Sequence, residues 1–186
     1  YTLATLAKPG VGGLVSTLTA SRAGADGDDR DRDLSPGWII GLTIGCSLMA
    51  GGLAYHFARG TVLAPDAAKL TVVAVPFVVI VGFIIAGICG YMAGLIGASN
   101  SPISGVGILS IVICASVLVV VVRPDEASRA ALVAFSLFVT AIVFACATIS
   151  NDNLQDLKTG QLVGASPRRQ QIALIVGVVA GAAVIP

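Results

Sequence analysis

The chain has 186 residues, of which 56% are hydrophobic, 11% charged and 5% aromatic, and its formal net charge at pH 7 is +1. Soluble domains carry about 25% charged residues, so this composition excludes an ordinary soluble domain, and the small net charge and scarce aromatic residues argue against nucleic-acid binding. The charges occur in short clusters between apolar runs, which is typical of a membrane protein with several spans.

The first 36 residues contain no clear membrane span. Residues 1–19 are mildly apolar and are interrupted by Lys8, Pro9 and Gly10, which favours the end of a preceding helix followed by a short interfacial helix. Residues 20–36 hold five Asp and three Arg and predict a solvated, flexible loop. Ion binding by this acidic loop is the alternative, although the ligand spacing of an EF-hand is absent.

Five apolar segments predict membrane-spanning helices, at residues 38–57, 70–96, 104–122, 130–149 and 170–186. Together they indicate an all-α fold, a polytopic transmembrane helical bundle that forms a single domain over residues 1–186. Pro36 suits the start of the first span, and Pro76 predicts a kink in the second. Because the chain begins with Tyr1 and stops inside an apolar run, we expect it to be a fragment of a longer protein.

Side chains with strong site chemistry are scarce. His56, at the end of the first span, is interpreted as an interfacial residue, with a proton relay as the alternative. The cysteines are expected to be packing residues, because all lie in apolar runs without metal-ligand spacing; they are Cys46, Cys89, Cys114 and Cys146. The sequence contains no nucleotide-binding, hydrolase-nucleophile or zinc-protease motif. We therefore expect no enzyme activity, no cofactor and no metal site.

A charge-free interruption separates the second and third spans. It covers Gly97–Gly107 and combines the polar Asn100, Ser101 and Ser104 with Pro102, which blocks a continuous helix. One interpretation is a tight hairpin between two full spans. The other is a broken or re-entrant helix at membrane depth, where freed backbone groups face a cavity or a substrate.

The most polar segment beside the apolar runs extends from Ser150 to Gln171, and residues 150–169 are interpreted as a polar loop. Chains keep such groups near membranes where they border water, an ion path or a substrate. On a helix, Asp152 and Asp156 would share a face and could bind a proton or a cation. A solvated loop whose charges have no role is the alternative. If the second and third segments both span, residues 20–36 and 150–171 lie on the same side of the membrane.

Two motifs resemble the oligopeptide transporter (OPT) family, a superfamily that includes the yellow stripe-like metal–chelate carriers. The family pattern Q-D-x-K-T-G-x-L followed by S-P-R is matched by Gln155, Asp156, Lys158, Thr159, Gly160, Leu162, Ser166, Pro167 and Arg168. The family segment N-x-P-[IL]-S-G is matched at residues 100–105. The motifs occur in the family's order, and the resemblance extends over most of the chain.

The resemblance implies a piece of a longer, all-helical bacterial carrier in the plasma membrane. Such carriers import oligopeptides, peptide-like compounds or metal–chelate complexes, usually with protons, so the expected partners are the lipid bilayer, protons and one such substrate. It also favours a cavity-lining role for Gly97–Gly107. From chemistry and motif position, we expect substrate contacts at Asn100, Ser101, Pro102, Ser104, Asn151, Asn153 and Gln155. A gate or ion-coupling network is expected at Asp152, Asp156, Lys158 and Thr159. A channel or a non-transporting structural membrane subunit is the alternative.

Overall fold

A computed structural model of the protein describes residues 33–185, apart from the side chain of Asn100. Its helices are α1 (Pro36–Arg59), α2 (Ala67–Ile96), α3 (Ile103–Val122), α4 (Glu126–Leu162) and α5 (Pro167–Val184), with 3₁₀ turns at Ala64–Asp66 and Ala98–Asn100. Residues 33–185 contain no β-strand, so the predicted all-α class is confirmed. The interfacial helix expected within residues 1–19, and nearly all of the acidic loop expected at 20–36, lie outside the described residues.

Four segments of this structure are long and apolar enough to cross a membrane: α1, Ala64–Ile96, α3 and α4. At 1.5 Å per residue, the 20 residues of α3 measure about 30 Å, which matches the roughly 30 Å hydrocarbon core of a bilayer. Large apolar side chains such as Trp38, Leu48 and Val120 face outward, where a soluble protein would place polar groups. The chain is therefore a multi-pass membrane protein.

Local sequence sets several helix ends. Prolines occupy the first turns of α1 and α5, where their missing N–H costs no hydrogen bond. Asp125 caps α4 by accepting a hydrogen bond from the Ser128 N–H at 2.9 Å. Bonds from the Ser128 hydroxyl and N–H hold the pKa of Asp125 below its ordinary value. α2 is continuous through Pro76, and the kink expected there stays a prediction.

Close contacts show that α2 and α4 run parallel. Gly82 lies beside Cys146, and about two turns further along α2 Gly90 lies beside Ser150 and Leu154, which are one and two turns further along α4. The seam between these helices also brings Leu70 and Phe135 into one apolar cluster near the start of both helices, and Cys89 and Ala147 into another further along. The two glycines let the backbones approach closely. The α2–α4 pair is therefore the rigid centre of the bundle.

α3 runs antiparallel to this pair. Ile103, at the start of α3, packs on the apolar cluster that holds Ile85 from the second half of α2. Leu118, near the end of α3, shares a cluster with Leu70 from the first turn of α2. Neighbouring helices therefore alternate in direction along the chain, as short connections require.

This arrangement gives the bundle two different ends. At one end Phe57 packs against Phe135 and stacks on Phe138, with ring centroids 6.0 and 5.3 Å apart. The other end, called here the polar end, gathers the start of α1, the connection between α2 and α3, the C-terminal part of α4 and the start of α5. A hydrogen bond of 2.9 Å from the Leu34 N–H to Gln171 Oε1 joins the first and last of these. Residues 33–36 and 150–171 thus lie on one side, as expected if the second and third segments both span.

α4 continues well past the span expected at 130–149. The sequence interpretation placed a loop over residues 150–169, whereas the helix extends to Leu162 and only residues 163–166 form a turn. The loop interpretation is therefore wrong for most of that segment. From Ser150 to Thr159 there is no proline or glycine, and Leu154 and Leu157 interrupt the polar residues. The helical hydrogen bonds are kept, and the result is an amphipathic extension of the membrane helix.

Candidate functional site

The α2–α3 connection, residues 97–102, breaks the helical run at the polar end. Gly97 ends α2 with a φ of +89°, which side chains with a Cβ rarely adopt. One 3₁₀ turn follows, and the Ser101 hydroxyl donates a hydrogen bond to the Cys89 carbonyl oxygen at 3.5 Å. The connection therefore folds back on the last turns of α2 and joins two antiparallel helices as a hairpin. Its depth in the bilayer stays a prediction.

The start of α3 offers hydrogen-bond donors beside this connection. Pro102 occupies the N-cap position and has no side chain that could accept a bond from the first N–H groups. Pro102 and Ser104 are exposed, and Ser101 is half-buried. Helix N-termini without a side-chain cap favour carboxylate and carbonyl oxygens, because the N–H groups and the helix dipole both attract negative charge.

One face of the α4 extension is buried at the same end. The Ser150 hydroxyl donates a hydrogen bond of 2.7 Å to the Ala86 carbonyl oxygen of α2. Asn151 is only 4% exposed, and its Oδ1 atom has no hydrogen-bond partner within the described part of the chain. An unmatched buried amide oxygen costs about 1–3 kcal/mol of stability, so Asn151 lowers the stability of the fold at this position.

Next to this buried face, the extension carries a polar stripe formed by Asp152, Gln155, Asp156 and Thr159. These residues follow the i, i+3, i+4, i+7 spacing of one helix face, and all four are exposed. The Thr159 hydroxyl donates to the Gln155 carbonyl oxygen at 3.0 Å. Among residues 33–185, neither carboxylate of the stripe forms an ion pair. The stripe can therefore accept protons, cations or donor groups of a ligand.

Two predicted site residues lie beside the stripe and not on it. The Lys158 ammonium donates to Gln161 Oε1 at 2.9 Å, and within the described residues it does not pair with Asp152 or Asp156 as an ion-coupling network would require. Asn153 is half-buried. The structure thus separates the predicted site into three parts: the buried Asn151, the α2–α3 connection with the exposed Pro102 and Ser104, and the exposed polar stripe.

Below Asn151 the helices leave a narrow crevice with no room for a water-sized molecule. The residues that line it are Ile85, Ile103, Gly107, Ser110, Val143, Phe144 and Ala147. Its lining is apolar except for Ser110, whose hydroxyl donates to the Val106 carbonyl oxygen at 2.8 Å. A polar ligand would therefore approach Asn151 from the polar end and not from the core.

A structured turn ends the α4 extension. The Ala165 N–H bonds to the Gly160 carbonyl oxygen at 2.9 Å and the Gly164 N–H bonds to the Gln161 carbonyl oxygen at 3.2 Å. This pair of bonds is a Schellman motif, which requires a left-handed residue, and Gly164 has a φ of +74°. The turn therefore directs α5 back along the bundle.

Replacing Gly164 by alanine is expected to destabilise this turn by about 1–2 kcal/mol, because the left-handed conformation crowds a Cβ against the backbone. The measurement is the thermal unfolding of the purified full-length protein in detergent. Gly177→Ala is the control, since Gly177 lies within α5 with open space around it. Equal stability of the two variants would contradict the role assigned to the turn.

Sequence reasoning missed or undervalued several residues at the polar end. Gly90 and Gly94 have the small-xxx-small spacing of helix contacts, but a Cβ would meet α4 only at Gly90, and at Gly94 it would have nothing within 4 Å. Asp33 and Gln171 were not singled out, although Gln171 Nε2 donates to Asp33 Oδ1 at 3.2 Å. No spacing rule signals a contact between residues so distant in sequence.

Comparisons with known proteins agree with the two motifs. Residues 10–186 match the family model described as OPT oligopeptide transporter protein. The whole chain aligns, over 193 residues and at 41% identity, with a Haemophilus influenzae protein that carries the provisional name of oligopeptide transporter. The chain spans 30% of the length of that relative. No solved structure matches the chain at comparable significance.

Proposed function

The chain belongs to the oligopeptide transporter (OPT) family, and we propose that it forms part of a secondary transporter in a bacterial plasma membrane. The intact protein would import oligopeptides, peptide-like compounds or metal–chelate complexes with protons, and would have no enzyme activity. The observation that carries the proposal is the meeting of a broken helical run, a buried Asn151 and an exposed acidic stripe at one end of a membrane bundle.

The substrate would bind at the α2–α3 connection. Ser101, Pro102 and Ser104 surround the start of α3, whose N–H groups suit carbonyl and carboxylate oxygens. The side chain of Asn100 lies outside the described part of the structure, and its substrate contact is proposed from the motif alone. Asn151, Asn153 and Gln155 would add amide groups from α4, which can pair with the peptide bonds of a substrate.

Proton coupling is proposed for the polar stripe. Asp152 and Asp156 lie one helical turn apart on an exposed face, so a proton taken up by one carboxylate reduces its repulsion of the other. Thr159 extends the stripe towards the α4–α5 turn, and Lys158 would enter a gate only if its bond to Gln161 opened. Alternate protonation of the two carboxylates could then bias the protein between its transport states.

Replacing Asp156 by asparagine tests the coupling. We expect uptake driven by a proton gradient to fall at least about fivefold, the lower end of typical coupling energies, and its pH dependence to weaken. The measurement is uptake by the full-length protein in proteoliposomes at several values of external pH. Glu126→Gln, which removes an exposed carboxylate at the opposite end of α4, is the control. Unchanged uptake with an unchanged pH profile would contradict a role of Asp156 in proton coupling.

The overall function is tested in the same vesicles with labelled di- to hexapeptides and iron–chelator complexes. Saturable uptake that disappears when the proton gradient is dissipated supports a proton-coupled carrier. A channel would give flux that neither saturates nor follows the gradient. A structural subunit would give no uptake, and substitutions at Asn100 or Asp156 would then change only assembly.

A further inference from the structure

A row of polar side chains is buried between α3 and α4, inside the membrane-spanning part of the bundle. This buried row consists of Ser110 and Cys114 from α3 and Ser136 and Thr140 from α4, and each residue is at most 3% exposed. The Thr140 hydroxyl pairs with the Cys114 thiol, so the row crosses from one helix to the other. The steps from Ser110 to Cys114 and from Thr140 to Ser136 add up to about 12 Å at 1.5 Å per residue. The row therefore covers more than a third of the roughly 30 Å hydrocarbon core.

The hydroxyl groups of the buried row are able to hold water. Each donates its proton to a carbonyl oxygen one turn back in its own helix: Ser110 to Val106 at 2.8 Å, Ser136 to Leu132 at 2.6 Å and Thr140 to Ser136 at 2.7 Å. A hydroxyl has one donor and two acceptor lone pairs, so donation leaves each oxygen able to accept a bond. Water that entered the row would therefore find acceptors along it.

An aromatic side chain lies over the row on the side of the polar end. The ring of Phe144 packs directly on the backbone of α3 at Gly107, where a Cβ would overlap the ring. With Ile85 and Ile103, the ring lines the crevice that reaches down to Ser110. This crevice has no room for a water-sized molecule. The close approach of the ring requires glycine at position 107, and it closes the path from the polar end to Ser110.

The spacing along α4 places the ring between two polar levels. Thr140, Phe144, Ala147 and Asn151 follow the i, i+4, i+7, i+11 spacing of one helix face. Asn151 lies at the polar end, and Phe144 lies seven residues deeper, about 10 Å at 1.5 Å per residue. Thr140 lies one further turn down. Water that reaches the buried amide of Asn151 thus meets the apolar ring before it meets the row.

We propose that Phe144, packed on Gly107, is a hydrophobic plug that separates water at the polar end from the buried row. The ring acts by filling space, as apolar constrictions do when they keep a pore dry. Only the purpose of the plug rests on the proposed transport function, because a carrier driven by protons must not leak them through its interior. Its existence can be measured without a substrate.

The test uses native Cys114 as the reporter of water entry. Full-length protein in proteoliposomes is treated with the small cation 2-aminoethyl methanethiosulfonate, and peptide mass spectrometry reads the modification of Cys114 separately from other cysteines. The native protein should leave Cys114 unmodified. Phe144→Ala should raise the modification rate about tenfold or more, because a thiol reacts only as a thiolate that the reagent can reach. Phe83→Ala, which removes an exposed ring from α2, is the control and should leave the rate unchanged.

An exchange of side chains between the two helices identifies filled space as the cause. A Cβ at Gly107 points into the volume of the Phe144 ring, so the double variant Gly107→Leu with Phe144→Ala refills that volume from α3. Its Cys114 should return to the low rate of the native protein. Phe144→Leu removes less volume and gives a smaller increase, which keeps the test decisive if Phe144→Ala does not fold.

Three results would overturn the plug. The first is rapid modification of Cys114 in the native protein, and the second is an equal rate in native, Phe144→Ala and Phe144→Leu proteins. The third is a double variant that is as reactive as Phe144→Ala, because the refilled volume would then not exclude water. Thermal unfolding and size-exclusion behaviour of each variant show that the compared proteins are folded.

Uptake measured in the same vesicles keeps this inference separate from the proposed function. Modification of Cys114 that depends on Phe144 in a protein without any uptake supports the plug and contradicts the transport function. Normal uptake driven by a proton gradient, in a protein whose Cys114 does not respond to Phe144, supports transport and overturns the plug.

Discussion

A Gly90→Val substitution is expected to destabilise the protein by about 1–3 kcal/mol, the usual range for overpacking a close-packed interior. A Cβ at Gly90 would lie 2.5 Å from Ser150 Oγ and 3.1 Å from Leu154 Cγ. Leu154 can move because it is partly exposed. Ser150 cannot move freely, since its hydroxyl is held by the Ala86 carbonyl oxygen at 2.7 Å. The substitution must therefore separate α2 from α4 or break that bond.

The matched control for this prediction is Gly87→Val. Gly87 lies on the same helix, is exposed and has nothing within 4 Å of a Cβ position. Both variants change helix propensity alike, so any difference reports the α2–α4 contact. The measurement is thermal unfolding and size-exclusion behaviour of the full-length protein in detergent. Equal stability of the two variants would show that the α2–α4 seam adapts, and that the parallel pair is not the rigid centre.

The apolar helices were predictable because their signal is local. Each of the first three predicted spans lies within α1, α2 or α3, since a membrane helix needs only length and apolarity. The α4 extension was predicted to be a loop because its residues are polar, although their hydrophobic positions repeat with the period of a helix. Asn151, Leu154 and Leu157 are spaced as one helix face, and this periodic signal was available in the sequence.

The buried and exposed parts of the candidate site could not be separated from sequence. Asn151 and Asp152 are adjacent and both polar, yet one is buried against the bundle and the other is exposed. Which of the two faces inward depends on the rotation of α4, and the contacts of Gly82 and Gly90 fix that rotation. The Gln171 bridge has the same origin, because it joins segments whose proximity follows from the alternating directions of four helices.

An Asn151→Leu substitution is expected to raise stability and lower transport. Asparagine and leucine have similar shapes, and replacing a buried polar group without a partner by an apolar one is neutral or stabilising. The buried Oδ1 of Asn151 has no partner among residues 33–185, so leucine should stabilise the protein by about 1–3 kcal/mol, the cost of such an unmatched group. If the amide also binds the substrate, uptake should fall about tenfold or more, because the loss of one hydrogen bond to the substrate is worth about that factor.

Two measurements on the same full-length preparations decide between these roles: thermal unfolding and initial uptake rate as a function of substrate concentration. Ser136→Ala is the control, since Ser136 is also buried on α4 but its hydroxyl donates to the Leu132 carbonyl oxygen at 2.6 Å and it lies outside the proposed site. Higher stability with lower uptake identifies Asn151 as a residue kept for function at a cost in stability, as strained and unmatched groups at functional sites often are. Higher stability with unchanged uptake would remove Asn151 from the substrate path. Lower stability would contradict the interpretation of Asn151 Oδ1 as an unmatched group that costs stability.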